Sequence, residues 1–288
     1  WLKSAPAALV GGRPPPPPCL GRGRRQPRRA AVGRRAPLPR PPGLLMDGSV
    51  TEAFVRRLLA QVAPPLDGST HKGQGGRIGI LGGSLNFTGA PFYAGLSALR
   101  TGAELVYVFC ADEAAAPLKG YSPELIITPV GAGEGNAGTI LAAVEEALPR
   151  LHALVVGCGL GRKPEFLRGA ALAIQAARAR GVPVVVDADG LVAVCEHPDA
   201  VQGANAGQIL LTPNIMEFRR LCEKAGVQAR EAEGPAPAAV EELARKLGGV
   251  AVCLKGPEDI VAAPERPGRR CAERGTPRRS GGLGDVLA

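Results

Sequence analysis

The sequence lacks the residue patterns that build disulfide frameworks and zinc centres. Its seven cysteines include no C-x-x-C pair, and its three histidines, His71, His152 and His197, do not have the spacing of metal ligands. Neither a disulfide framework nor a zinc site is therefore indicated. Several cysteines lie singly inside apolar runs, which is typical of reduced, buried thiols, and we expect an intracellular, reducing compartment.

Long apolar runs are missing as well. No segment approaches the run of about 18 apolar residues that a membrane-spanning helix requires. The sequence also shows no internal repeat and no coiled-coil heptads. We therefore expect no membrane partner.

Acidic residues are absent from the first 46 positions, which hold ten Lys or Arg and the proline run Pro14 to Pro18. A segment of this composition cannot bury a core, so we expect residues 1–46 to be a disordered leader. Its arginine content without acids favours a mitochondrial targeting segment, with the cytoplasm as the alternative. The remaining 25 basic and 26 acidic residues nearly balance, which argues against a nucleic-acid partner.

Residues 47–288 alternate short apolar runs with longer alanine- and leucine-rich segments, which predicts one α/β domain. Regular alternation of strand and helix implies crossover connections, a mostly parallel sheet and helices on both faces. The predicted strands are Arg77–Leu81, Leu105–Phe109, Leu125–Thr128, Ala153–Val156, Val182–Val186, Gln208–Leu211 and Val250–Leu254. The predicted helices are Pro91–Thr101, Ala137–Leu148, Glu165–Ala179, Asn214–Ala225 and Ala236–Leu247. We interpret Ile260–Cys271, which contains two prolines, as a hairpin.

Polar or glycine-rich turns follow four of the predicted strands. These turns are Gly157–Arg162, Asp187–Leu191, Leu211–Asn214 and Lys255–Asp259. In an open α/β sheet, ligands bind at the carboxyl ends of the strands. The four turns therefore predict one shared crevice.

A further glycine-rich turn, Gly281–Gly284, leads directly into Asp285. Successive small residues let backbone N–H groups converge on an anion, and the apolar residues after Asp285 predict the first turn of a helix. Phosphoryl transfer needs such donors beside a carboxylate that accepts a proton from the attacking hydroxyl. We therefore predict that Asp285 is a general base. The structural alternative is an acid that only interacts favourably with the helix dipole.

These motifs occur in order with three further stretches, His71–Gly83, Phe87–Pro91 and Tyr121–Leu125. Taken together, they resemble the ribokinase-like family of ATP-dependent NAD(P)H-hydrate dehydratases, from about His71 to Ala288. The resemblance implies a three-layer αβα ribokinase-like fold with a mostly parallel central sheet. It also implies a lyase that repairs (S)-NADHX and (S)-NADPHX to NADH and NADPH, by phosphorylating the hydrate hydroxyl and then eliminating phosphate.

The chain departs from this family's pattern at three points. Cys158 stands where the family usually has proline, and Ser280 precedes the final glycines at a position where related sequences vary. Family members also continue well past the glycine-Asp motif, so the dehydratase domain over 47–288 is expected to be incomplete at its C-terminus.

The same resemblance implies the ligand sites. Asp285 would be the catalytic residue and would also contact the hydrated dinucleotide. The other implied substrate-binding residues are Gly159, Asn214, Ile215, Met216, Glu217, Phe218, Arg219 and Arg220. The implied ATP-binding residues are Lys255, Gly256, Pro257, Glu258, Asp259, Gly275, Thr276, Pro277, Arg278, Arg279, Ser280, Gly281, Gly282, Leu283 and Gly284.

Several of these side chains have a structural alternative. Lys255 suits a phosphate but could be a solvated charge, and Asn214 can cap a helix as well as contact substrate. Glu217 could hold a ribose or a metal-bound water, or be a plain helix residue. Asp187 and Asp189 are both placed to hold Mg²⁺ directly or through water, with Asp187 the preferred candidate. Alternatively, Asp189 could cap the helix that starts at the next residue.

Two other functions remain open from the residues alone. A small-molecule kinase of the same fold, acting on a vitamin precursor, would use the same anion hole and base. A truncated fragment would bind nucleotide poorly or not at all. For the leading interpretation, the small-molecule partners are ATP with Mg²⁺ and NADHX or NADPHX. A functional pairing with an NAD(P)H-hydrate epimerase and a homo-oligomeric state are compatible with it.

Overall fold

The protein is built on a sheet with helices packed against it. The computed structural model describes residues 55–57, 59–60, 71–131, 137–205, 207–228, 236–264, 266–271 and 281–288. The strands are β1 (Arg77–Leu81), β2 (Leu105–Cys110), β3 (Leu125–Pro129), β4 (Ala153–Val156), β5 (Val184–Val186), β6 (Ile209–Leu211), β7 (Ala251–Leu254), β8 (Asp259–Ala263) and β9 (Arg266–Cys271). The helices are α1 (Gly89–Arg100), α2 (Asp112–Tyr121), α3 (Ala137–Ala147), α4 (Pro164–Ala179), α5 (Asp189–Glu196), α6 (Ile215–Ala225), α7 (Pro237–Lys246) and α8 (Leu283–Leu287). Short 3₁₀ turns occupy Leu148–Arg150 and Pro198–Ala200.

The strand order is β3-β2-β1-β4-β5-β6-β7-β8-β9. Strands β1 to β7 are paired in parallel, and β8 and β9 add an antiparallel edge. The order of the strands reverses between β1 and β4. Such a switch point opens a crevice at the carboxyl ends of the strands, which is where α/β proteins bind ligands.

Both faces of the sheet are covered, as the continuous apolar runs of the strands require. One core cluster contains Ile140 of α3, Ile174 of α4 and Phe218 of α6, all less than 2 % exposed. The second cluster, on which α1 and α2 pack, contains Ile80 of β1 and Leu118 of α2. The predicted mostly parallel sheet with helices on both faces is confirmed. None of the helices in the described ranges is long and apolar enough to cross a bilayer.

The hairpin prediction for Ile260–Cys271 is confirmed as the pair β8 and β9, with an irregular register between Val261 and Ala263. Helix α2 was not predicted from the sequence. It contains Pro117, which cannot donate a backbone hydrogen bond. The helix forms despite the proline, and it buries Ala114, Ala115 and Leu118.

Candidate active site

A cleft of about 720 Å³ opens at the carboxyl ends of β1, β2, β4 and β5. This volume lies within the range of small-molecule sites, about 300 to 1,000 Å³. Its walls come from the turns after these four strands and from one residue each of the helices α1, α2, α4, α5, α6 and α8. The lining residues are Ser84, Leu85, Asn86, Phe87, Ala90, Ala111, Glu113, Gly159, Leu160, Gly161, Arg162, Lys163, Phe166, Ala188, Asp189, Glu217 and Asp285.

The turn after β4 is fixed by close backbone contacts. Gly157 and Gly159 have φ values of 120° and 62°, in the left-handed region that favours glycine. A Cβ on Gly157 would lie 2.0 Å from the carbonyl oxygen of Asp187, and one on Gly159 would lie 2.6 Å from that of Phe87. The turns after β1, β4 and β5 therefore pack backbone against backbone, which leaves Cys158 between them.

Asp187 and Lys255 form a buried ion pair. The Lys255 Nζ lies 2.7 Å from the Asp187 Oδ1, and the Asp187 side chain is 3 % exposed. Asp187 follows β5 and Lys255 follows β7, so the pair joins two of the turns predicted to share a crevice. The same ammonium lies close to α8, because a Cβ on Gly284 would be 3.2 Å from it.

Asp285 lies beside both Cys158 and Asp187. The Cys158 sulfur and a carboxylate oxygen of each aspartate lie within 4.8 Å of one another. Burial and the neighbouring charge of Asp187 raise the pKa of Asp285 above its ordinary value. The Cys158 hydrogen bond and the Lys255 charge act in the opposite direction. A carboxyl group whose pKa is raised in a cleft is a candidate acid–base residue.

Asp189 supports the turn after β4. Its carboxylate accepts hydrogen bonds from the Gly161 backbone N–H at 2.9 Å and from the Arg162 Nε at 3.0 Å. Asp189 is the first residue of α5, and that helix has no side-chain cap, so the alternative of Asp189 as a helix cap is wrong. Within the described residues, the neighbouring Ala188 is the one non-glycine residue with positive φ, at 47°. Backbone strain of this kind concentrates at functional sites.

Asn214 and Glu217 form a reciprocal capping box at the start of α6. The Asn214 Oδ1 accepts from the backbone N–H groups of Met216 and Glu217, and the Glu217 Oε2 accepts from the Asn214 N–H at 2.8 Å. Burial raises the pKa of Glu217. The cap proposed for Asn214 is thus present, and it holds Glu217 where it lines the cleft.

Some of the residues implied to bind substrate line the cleft in the structure, and others do not. Gly159, Glu217 and Asp285 line the cleft together. Phe218 is fully buried in the core, while Met216 is 61 % exposed. Ile215, Arg219 and Arg220 belong to α6 and do not line the cleft. A substrate contact by these five residues stays a prediction.

The turn after β7, which is implied to bind ATP, is held in shape by contacts of its acidic side chains. The Gly256 N–H donates to the Asp259 Oδ1 at 2.9 Å, and the Glu258 Oε2 lies 3.4 Å from the Arg270 Nη1 of β9. These acids are therefore engaged in shaping the turn that presents Lys255. The role of Pro257 in ATP binding stays a prediction.

Of the implied glycine-rich ATP segment, Gly275, Thr276, Pro277, Arg278, Arg279 and Ser280 lie outside the described residues. Gly281 precedes Gly282, which has a φ of 88° and comes directly before α8. The predicted helix is present, but it begins at Leu283, before Asp285, so Leu283 and Gly284 belong to the helix and not to the turn that precedes it. The ATP contacts of the whole segment stay predictions.

Cys158, Asp187 and Asp285 are grouped closely enough to share a metal ion. Mg²⁺ prefers oxygen ligands and commonly binds through one or two carboxylates plus phosphates, so the aspartates suit it and the thiol does not. Lys255 already occupies one oxygen of Asp187. The donor set therefore fits a Mg²⁺ ion that arrives on a nucleotide better than a dedicated protein cage.

Sequence reasoning gave no functional role to the loop Ser84–Phe87, which forms one wall of the cleft. The Ser84 Oγ donates to the Gly159 carbonyl oxygen at 2.9 Å and joins this wall to the turn after β4. The position of the loop, directly after the glycines that follow β1, was the available signal. Glu113 and Lys163 were also missed. Both line the cleft, and their ion pair of 3.5 Å joins α2 to the turn after β4.

Comparisons with known proteins agree with this geometry. The family model described as NAD(P)H-hydrate dehydratase matches residues 78–288. An ATP-dependent (S)-NAD(P)H-hydrate dehydratase from Ixodes scapularis is 48 % identical over 233 residues, 81 % of this chain and 71 % of that protein. The protein of the same name from Danio rerio is 44 % identical over 231 residues, 80 % of this chain and 68 % of its own.

A crystal structure of the ADP/ATP-dependent NAD(P)H-hydrate dehydratase from Bacillus subtilis, co-crystallized with ATP/Mg²⁺, shares the fold. It superposes with a TM-score of 0.58 and 22 % identity, covering 82 % of this chain and 76 % of that one. The predicted ribokinase-like α/β fold is confirmed. The cleft at the switch point, the acid after the glycine turn and the match over residues 78–288 agree: this chain belongs to the NAD(P)H-hydrate dehydratase family.

Proposed function

We propose that the protein dehydrates (S)-NADHX and (S)-NADPHX to NADH and NADPH with ATP as co-substrate. The observation that carries the proposal is the position of Asp285 in the cleft, beside the Asp187–Lys255 pair and at the start of a helix that follows a glycine turn. Family membership supports the same reaction. Each role below follows from the placement of these side chains.

Asp285 acts as the general base in the first step. It takes the proton of the hydrate hydroxyl while that oxygen forms a bond to the γ-phosphorus of ATP, and ADP leaves with the electrons of the broken P–O bond. The raised pKa of Asp285 makes it a stronger proton acceptor than an exposed aspartate once it is ionised. Because the group is half-buried, few waters compete with the hydroxyl for this carboxylate.

Lys255 supplies positive charge where the transferred phosphoryl group passes. Its ammonium lies near Gly284 and is held by Asp187, which fixes the position of the charge before any ligand binds. Preorganised charge of this kind stabilises the transition state without reorganisation during the reaction. Asp187 is thus a positioning residue for Lys255, and its remaining carboxylate oxygen would hold Mg²⁺ directly or through water. When bound, that ion would neutralise charge on the phosphates.

The second step needs less from the protein. The phosphorylated hydroxyl leaves as phosphate with the electrons of the C–O bond, the lone pair of the ring nitrogen assists, and a proton lost from the adjacent ring carbon restores the double bond. The protein's contribution is to orient the ring and to exclude water, which the turn after β4 and the loop Ser84–Phe87 are placed to do.

The test is conversion of (S)-NADHX to NADH with ATP and Mg²⁺, followed by absorbance of the reduced nicotinamide, with ATP consumption measured in parallel. We expect activity in the wild-type chain and a loss of about 10²- to 10⁴-fold in Asp285→Asn, the usual contribution of a general base. Asp199→Asn, on the 3₁₀ turn Pro198–Ala200 outside the cleft, is the matched control and should retain activity.

ATP consumption without NADH formation, appearing only when other alcohols are supplied, would instead support a small-molecule kinase. No turnover of either kind by a folded wild-type chain would contradict both proposals.

The cellular setting is a further proposal. The (S) specificity in the relatives' names means that the other epimer of the hydrate needs an epimerase to enter the same reaction. We infer a functional pairing with such an enzyme. The basic, acid-free composition of residues 1–46 supports a mitochondrial location, with the cytoplasm as the alternative. Fluorescent tagging of the complete protein, with and without residues 1–46, would distinguish the two compartments.

A further inference from the structure

Cys158 is held rigidly at the centre of the site. Its side chain is fully buried, and its carbonyl oxygen accepts a hydrogen bond from the Gly83 N–H at 3.0 Å. Glycine at position 82 is also required, because a Cβ there would lie 2.2 Å from the same carbonyl oxygen. Together with the constrained glycines on either side, these contacts fix where the Cys158 sulfur lies.

The sulfur is directed at the proposed general base. The Cys158 sulfur lies within 4.8 Å of a carboxylate oxygen of Asp285. At this separation the thiol and the carboxylate interact directly, and the thiol must be the donor, because an ionised carboxylate can only accept.

Asp285 needs such a partner because its own element is small. Helix α8 has only five residues, and the backbone bonds at its two ends run from the Val286 N–H to the Gly282 carbonyl oxygen at 3.1 Å and from the Ala288 N–H to the Gly284 carbonyl oxygen at 3.0 Å. Asp187 lies nearby and repels the ionised carboxylate. A donor on the opposite turn restrains the carboxylate that this repulsion would otherwise displace.

We propose that Cys158 is a positioning residue, whose thiol hydrogen bond holds the Asp285 carboxylate in the orientation that accepts the substrate proton. The inference rests on the proposed function of Asp285 as the general base. Cys158 does not act as a nucleophile. Its side chain is fully buried, which keeps the sulfur from contact with a ligand and disfavours the thiolate.

Steady-state kinetics of Cys158→Ala and Cys158→Ser test the proposal. Hydrogen bonds to charged groups are stronger than those between neutral groups, but a thiol is a weak donor, so we expect kcat of Cys158→Ala to fall by about tenfold. The KM for ATP should stay close to the wild-type value. Cys158→Ser keeps an O–H donor and should recover most of the lost kcat.

Cys222→Ala is the matched control, since Cys222 is equally buried but lies in the core on α6. It should leave kcat unchanged. If Cys158→Ala has wild-type kcat, or if Cys158→Ser and Cys158→Ala lose kcat equally, the proposal is wrong. A wild-type chain without dehydratase activity would contradict the proposed function instead.

A spectroscopic measurement tests the proposal without any cysteine variant, so it does not depend on whether such variants fold. The infrared S–H stretching band moves to lower frequency when the thiol donates to a carboxylate. The difference spectrum between the wild-type protein and Asp285→Ala should therefore show one S–H band that shifts upward when the carboxylate is removed. An unchanged S–H region would show that the thiol does not donate to Asp285 and would overturn the proposal.

Discussion

Asp285 and Asp187 place two carboxylates in one partly buried space with a single lysine. Asp187 is neutralised by direct contact with Lys255. Asp285 is not paired in this way, and burial together with the Asp187 charge raises its pKa. The two aspartates therefore differ in their surroundings: Asp187 contacts the Lys255 ammonium directly, whereas Asp285 has no such contact and its pKa is raised.

The raised pKa of Asp285 predicts a cost in stability at neutral pH. The folded state binds this proton more tightly than the unfolded state does, so the free energy of unfolding falls as pH rises from the usual aspartate range through the raised pKa. Asp285→Asn should then melt at a higher temperature than the wild-type protein at pH 7. Thermal melting across pH checks this, and the difference should vanish at acid pH, where both states of the wild-type protein hold the proton. A lower melting temperature of the variant at pH 7 would contradict it.

Breaking the Asp187–Lys255 pair is predicted to change the free energy of unfolding more than Asp285→Asn does. Lys255→Met leaves the Asp187 carboxylate buried without its cation, and such changes cost roughly 3 kcal/mol or more in the free energy of unfolding. Urea unfolding measures this. Combining Lys255→Met with Asp187→Asn should recover part of the stability, since the uncompensated charge is gone. Equal losses in the single and the double variant would count against a charge effect.

The sequence indicated each of these residues but not how they interact. Asp285 was identified because a glycine turn directly precedes it, and Asn214 because it stands where a helix cap is needed. The reciprocal bond from the Asn214 N–H to Glu217 was not predicted. Asp187 and Lys255 lie far apart along the chain, and only the parallel pairing of β5, β6 and β7 brings them together. A thiol at position 158 carries no local signal of the carboxylate that it contacts.

At the scale of elements, the start of α6 combines a structural and a functional task. Its capping box satisfies helix N–H groups and also restrains Glu217. Asn214→Ala should reduce the free energy of unfolding by about 1 kcal/mol, the usual effect of losing a side-chain cap. Chemical denaturation measures this, and Asn214→Asp, which retains the acceptor oxygen, should be close to wild type. A loss of activity in Asn214→Asp without a loss of stability would separate a substrate contact from the cap.

The strands could be predicted from the sequence because each buried strand is a short apolar run bounded by polar or glycine-rich residues. Helix α2 was not, because its alanines give a weak apolar face and Pro117 interrupts the pattern. Packing of Leu118 on the sheet outweighs that local preference. The ends of β5 and β6 also fall one or two residues inside the predicted runs, since pairing with neighbours sets where a strand begins.

For the whole molecule, the cleft joins segments from both halves of the sheet, so a bound nucleotide should stabilise all of them together. A ligand that binds only the folded state stabilises it by about 2.7 kcal/mol at 100 times its Kd. We expect ATP with Mg²⁺ to raise the melting temperature of the wild-type chain and of Asp285→Asn, which keeps the surrounding turns. An unchanged melting temperature with saturating ATP would contradict nucleotide binding in the cleft.

The strand order also bears on how the protein is made. Each strand in the described part of the chain precedes Asp285, and domains fold largely from the N-terminus as synthesis proceeds. The turns after β1, β4 and β5 can therefore pack together while the segment that carries Asp285 is still inside the ribosome. A nascent chain would thus have most of the cleft in place before Asp285, the base proposed above, emerges, and the proposed reaction could begin only after helix α8 has left the ribosome.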